Sequence, residues 1–339
     1  AFDRAVELDP ISAPIVIKIG RAYIDLAYME LATGLDPVPK LDDAIAAYER
    51  AIELRPDLVF GHRGLALALF IKADHLSSRG LDPSAEVQRT LAVCDRLEAI
   101  DPDFRWVDLY RGNALMSRAL YELVTGEDPR PSLEAAEAAM EASLERIPDD
   151  PSSHLNLGLI HTYEARYLIH EGRSGVDATR RSRARFERSG LEDGAQIAAL
   201  IGAGLNELVA ARAVPGGPID VGALQRAEGW CDRIAAFDPE SVYIPLIRAE
   251  AHYRRALALP AGGADRRAQI EGGLVQTERA RALSPDDATA VLLHGALLRL
   301  DGRGVGEDAE AGRALVEQAF EVNPTLRWEW GALLLDGSP

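Results

Sequence analysis

The chain has 339 residues, 47% of them apolar, and a formal net charge of −17 at pH 7. Its excess of carboxylates repels nucleic-acid phosphates and anionic lipid, so general binding to either is not expected. No uninterrupted apolar run approaches the ~20 residues of a membrane span, which argues against membrane insertion and leaves a protein or peptide as the expected partner.

The chain opens on AFDRAVELDP, which has the pattern of the second half of a repeat and no initiator methionine, so it is expected to continue upstream of Ala1. Pro10 closes this phrase. Equivalent prolines follow at Pro56, Pro102 and Pro148, then at Pro239, Pro285 and Pro324. Neighbours stand 46 residues apart, except for 39 between Pro285 and Pro324 and 91 across one gap, where RFERSGLEDG ends at Gly194 without a proline. A self-similar period of this size means stacked supersecondary units, none able to bury its apolar face alone. The expected organisation is one domain over 1–339. It holds a half repeat at 1–10, repeats at about 11–56, 57–102, 103–148, 149–194, 195–239, 240–285 and 286–324, and a terminal capping helix at 325–339.

Within each unit a long first helix comes first, at about 12–32 in the first. Ten residues after each closing position stand Gly20, Ala66, Gly112, Gly158, Gly204, Ala249 and Gly295, and seventeen after stand Ala27, Ala73, Ala119, Ala165, Ala211, Ala256 and Gly302. Small residues seven apart make a flat stripe along which a neighbouring helix can pack closely. Gly34, Gly80, Gly126 and Gly172 are expected to end the first helices, three of them inside a Gly-x-Asp-Pro connector. A second amphipathic helix follows, clearest in LDDAIAAYERAIEL, apolar at Leu41, Ala44, Ile45, Tyr48, Ala51, Ile52 and Leu54. No segment has the alternation of a β-strand, so the fold class is all-α.

Ala44, Tyr48, Ala51 and Pro56 fill four signature positions of the second helix of the tetratricopeptide repeat, and the chain resembles that family along essentially its whole length. The period of 46 departs from the family's 34. About two extra turns of the first helix and a longer loop account for the difference. The family's Trp position holds Val16, His62, Asp108, His154, Leu200, Pro245 and Val291 instead. The resemblance implies an α-solenoid of about seven stacked helix-turn-helix repeats in a right-handed superhelix, with the first helices lining a groove. The chain is also similar to the carboxy-terminal arrays of bacterial, myxobacteria-like serine/threonine kinases, which implies a regulatory region of such an enzyme. No kinase signature occurs in these residues. Arg outnumbers Lys 34 to three, a bias associated with GC-rich bacterial genomes.

The implied function is a non-catalytic protein-interaction scaffold, with no cofactor, catalytic residue or metal site. Groove positions expected to meet a partner include Arg21, Arg63, Phe70, Asn113, Met116 and Tyr253. A second candidate is a basic patch at Arg180, Arg181, Arg183 and Arg185, suited to an acidic segment. A third is end-to-end self-assembly into a homo-oligomer or filament, in which Phe2 meets Trp328 and Trp330 of the next copy. His154 and His161 lie two turns apart, too far to share a metal ion, and with His170 are expected at the surface or in the groove. Gly302, Gly304 and Gly306 lack the preceding strand that a phosphate-binding glycine loop requires. Cys94 and Cys231 occupy equivalent positions in different repeats, so they are expected as free, buried thiols in a reducing, cytoplasmic setting.

Overall fold

A computed structural model describes residues 12–32, 35–190, 197–300 and 307–335. Among them are fifteen helices and no strand. They run as hairpins: α1 (Ala13–Ala32) with α2 (Val38–Leu54), α3 (Val59–Ser78) with α4 (Ser84–Ile100), α5 (Val107–Thr125) with α6 (Arg130–Arg146), α7 (Pro151–His170) with α8 (Val176–Arg188), α9 (Ile197–Ala210) with α10 (Val221–Phe237), α11 (Tyr243–Ala258) with α12 (Ala264–Leu283), and α13 (Ala288–Leu300) with α14 (Glu307–Val322). A single short helix, α15 (Leu326–Leu335), follows. The chain divides into two compact units, residues 1–122 with 128–148 and residues 123–127 with 149–339. Each is a stack of hairpins in which second helices pack on the next first helix and first helices touch one another, the build of an all-α helical-repeat solenoid. Phe2, Pro10, Gly34, Gly194, Gly302, Gly304 and Gly306 lie outside the described residues.

The connectors follow from their sequence. Gly80, Gly126 and Gly172 have φ of 69°, 81° and 68°, a left-handed conformation that a side chain resists, and each ends a first helix. In the Gly-x-Asp-Pro connectors the carboxylates of Asp36, Asp82 and Asp128 accept the amide two residues on, at 3.1, 2.9 and 3.1 Å. Three otherwise orphaned helix-start donors are thereby satisfied.

The stripe of small residues does more than permit close packing. A Cβ on Gly20 would stand 2.9 Å from the Tyr48 ring, and one on Gly64 would stand closer still. In the second unit the Phe186 ring is 2.7 Å from such positions on both Gly158 and Gly202. One ring from a second helix is thus held between glycines of two successive first helices. Where the second helix carries a smaller residue, the next first helix supplies the bulk. Cys94 shares a buried cluster with Tyr110, and Cys231 shares one with Ile247. Large faces small at these four joints, as close packing requires. Both thiols are free, and burial pushes each up to about 12, well away from thiolate chemistry.

Candidate functional site

The most structured cluster of charge and aromatic groups lies in the second unit, where α15 meets the carboxy-terminal ends of the first helices. After the turn at Pro324, Asn323 accepts the Thr325 amide at 3.2 Å and starts α15. Glu329 accepts from Arg166 of α7 at 2.9 Å and pairs with Arg212, just beyond α9. Trp328 stacks on His170 with ring centroids 4.5 Å apart and an interplanar angle of 25°, and the Arg166 guanidinium lies 5.7 Å from its centroid. Gly126 faces the same indole. Trp330, only 4% exposed, meets Tyr253 of α11 at 5.7 Å and the Arg254 guanidinium at 5.2 Å. Arg299 of α13 donates to the Leu334 carbonyl. Successive residues of a helix are turned by about 100°. Trp328, Glu329 and Trp330 all find partners, so α15 sits in a trough rather than on a flat face.

The electrostatics are uneven. Arg166, Arg212 and Arg254 converge here, against Glu329 and against Glu250, which Arg254 binds at 2.6 Å. Arg254 is nearly dry, whereas Arg166 and Arg212 are each about one-fifth exposed. The Nε atoms of Arg166 and Arg212 are buried without a hydrogen-bond partner. Burial first, and then the neighbouring Arg254, push Arg212 down to about 9, and burial lowers Arg166 in the same direction.

Arg166 and Arg212 escape a reading of individual motifs, but they occupy one register position. Each directly follows a buried alanine of the small-residue stripe, Ala165 and Ala211. In the first unit the same position carries Tyr28, Asp74 and Leu120, and at Ala256 of the second unit it carries Leu257. Arginine in two successive repeats beside the buried stripe is the signal that marks the site.

The other expected residues are placed as follows. Arg21 pairs with Asp25 at 2.9 Å on an exposed face. Arg63 donates to the Tyr110 hydroxyl at 3.3 Å and lies 5.4 Å from the Trp106 centroid. Phe70 packs against the core of the first unit, and Asn113, Met116 and Tyr253 are buried. In the basic patch Arg180 pairs with Asp177, Arg181 with Glu164 at 2.6 Å, and Arg183 with the buried Glu207 at 2.5 Å; Arg185 is half-buried. Arg180, Arg181 and Arg183 are thus engaged by carboxylates of their own chain. Trp328 and Trp330 are held within the chain, as described. The surface placement expected for the histidines holds for His170, but His154 and His161 are buried. His154 stands in the first turn of α7 at the register of the family's Trp, and His161 meets Arg181 of α8 at 3.1 Å, so both rings face packed neighbours. Among the described residues no three His, Cys, Asp or Glu side chains are grouped to hold a metal ion, and no helix is long and apolar enough to cross a membrane.

No protein-family model matches the chain, and no curated protein does either. Among solved structures it is similar to the human IFIT1 dimer with m7Gppp-AAAA, at 14% identity over 91% of this chain and 72% of that one, with a TM-score of 0.39. It is also similar to the TPR domain of P58(IPK), at 11% identity over 94% of this chain and 99% of that one, with a TM-score of 0.21. At such identities the likeness is one of helical-repeat fold alone.

Proposed function

We propose that the chain is a protein-interaction scaffold, without catalysis of its own, which receives a helical segment across the carboxy-terminal ends of its first helices. The observation that carries this reading is α15. A short helix lies across α7, α11 and α13 and the chain just beyond α9, through contacts that join residues as far apart in sequence as Arg166 and Glu329. A ladder of first helices suits such a role, because each repeat adds one side chain at a fixed register and the set of side chains defines the ligand.

The reading is tested by selecting helical peptides from a display library against the full chain. The photo-crosslinker p-benzoylphenylalanine is then placed at Leu205 on α9 or at Val275 on α12, both solvent-exposed. Selected peptides are expected to crosslink from position 205 and not from 275. Crosslinking from 275 alone, or no selection above background, contradicts it.

A further inference from the structure

α15 is held in an unusual way for a terminal helix. Besides closing the stack with the buried Trp330 and Leu334, it draws a carboxylate between two largely desolvated arginines, and its flanking tryptophans lie against His170 and Tyr253. Without Glu329 the trough would keep three guanidiniums against the single carboxylate of Glu250. The buried Nε–H groups of Arg166 and Arg212 have no acceptor even with Glu329 in place. A site of that kind is costly to leave empty and is selective for an anionic group small enough to enter. α15 also buries Trp330 and Leu334 in a cluster shared with Val316, Ala319 and Phe320 of α14, and Arg327 pairs with Glu317 at 3.2 Å. The α13–α14 hairpin packs far more extensively on itself than α14 does on α15, so it keeps its own contacts when α15 is released.

We propose that this trough is a recognition site for a partner helix that presents one carboxylate between two aromatic side chains, and that α15 occupies it as an internal competitor. The inference rests on the scaffold reading above and specifies its ligand. The chain's net charge of −17 disfavours a polyacidic partner at long range, so the carboxylate is a single one set among aromatic groups. Because α15 is tethered, its effective concentration is on the order of millimolar. If it fills the trough 99% of the time, a partner binds the intact chain about 100-fold more weakly than the open site.

The probe is a fluorescein-labelled peptide of residues 325–335, TLRWEWGALLL, with a second version in which its glutamate is glutamine. Anisotropy titrations compare the unaltered chain with a full chain disarmed by Trp328→Ala and Glu329→Gln. The disarmed chain is expected to bind the probe at least 10-fold more tightly than the unaltered chain. The glutamine peptide should lose at least 10-fold, and Arg212→Glu in the disarmed chain should abolish binding. Hydrogen exchange on the unaltered chain gives a second readout that does not depend on the variant's folding. Excess probe should deprotect the amides of α15 while α7, α9 and α11 keep theirs. The proposal is overturned if α15 stays protected at saturating peptide. It also fails if pyrophosphate releases α15 where the peptide does not, since the site then reads a bare anion. A mass that rises with protein concentration as α15 is released makes a second copy the occupant and also overturns it. Helical peptides that crosslink from position 205 without competing with the probe leave the scaffold reading standing and remove only this one.

Discussion

The two units build their first helices alike and finish them differently. In the second unit the residue after the buried stripe alanine is Arg166 and then Arg212, and a carboxylate from α15 lies between them. In the first unit the same register carries Tyr28, Asp74 and Leu120, and no described helix covers the end of α1, where Leu26, Tyr28, Met29 and Leu31 are exposed, Met29 by 64%. Asp74 is partly buried, and burial alone raises its carboxyl to about 6. The backbone stack fixes where side chains appear; the residue at one register decides whether that place draws an anion, a cation or apolar surface. An aromatic ring clamped between two glycines is what both units share.

The shared clamp gives the largest expected effect. Phe186→Ala and Tyr48→Ala should each cost about 3–5 kcal/mol in urea unfolding, because neither trough of glycines can collapse onto the space left behind. Markedly unequal losses would break the equivalence of the two units. Glu329→Ala should cost about 2–4 kcal/mol, with the loss confined to the second unit, since it strands two arginines in a largely dry place. The large-faces-small rule predicts that Cys94→Phe overpacks its joint with Tyr110 and costs about 1–3 kcal/mol, much of it recovered when Tyr110→Gly is added. Thermal melts of the single and double variants test that recovery.

The Asp74 prediction depends on pH and concerns the first unit. Its folded pKa of about 6 lies above its unfolded value of 3.8, so folding favours the protonated form. This contribution is full below pH 3.8 and is lost as pH rises through about 6. Asp74→Asn should therefore stabilise the chain by about 2 kcal/mol at pH 7 and by little at pH 4, as chemical denaturation at the two pH values would show. Arg180→Ala, which removes an ion pair on a solvated face, is expected to change stability by less than about 0.5 kcal/mol.

Much of this fold was legible from sequence because it repeats. Prolines, connector glycines and stripe residues recur at one spacing, and each has a local physical meaning that needs no neighbour to be known. The clamps were only half visible. Gly20 and Gly158 belong to the recurring stripe, whereas Gly64 and Gly202 stand out only once Tyr48 and Phe186 are seen to enter from the adjoining helix. The burial of His154 and His161 escaped for a related reason, since helical spacing assigns a residue to a face but does not say how wide the packed face is. The trough was least legible. Trp328 and Trp330 read as contact residues at an end of the chain, and joining them to Arg166 and Arg212 required a return of the chain across more than a hundred residues that no local pattern encodes.

The central claim is that Glu329 of α15 and the arginines at the ends of the first helices form one coupled site. A double-mutant cycle between Arg212→Ala and Glu329→Ala, read by urea unfolding of the full chain, tests it most directly. The account predicts a coupling energy of about 1–3 kcal/mol, whereas effects that add to within about 0.3 kcal/mol would contradict it.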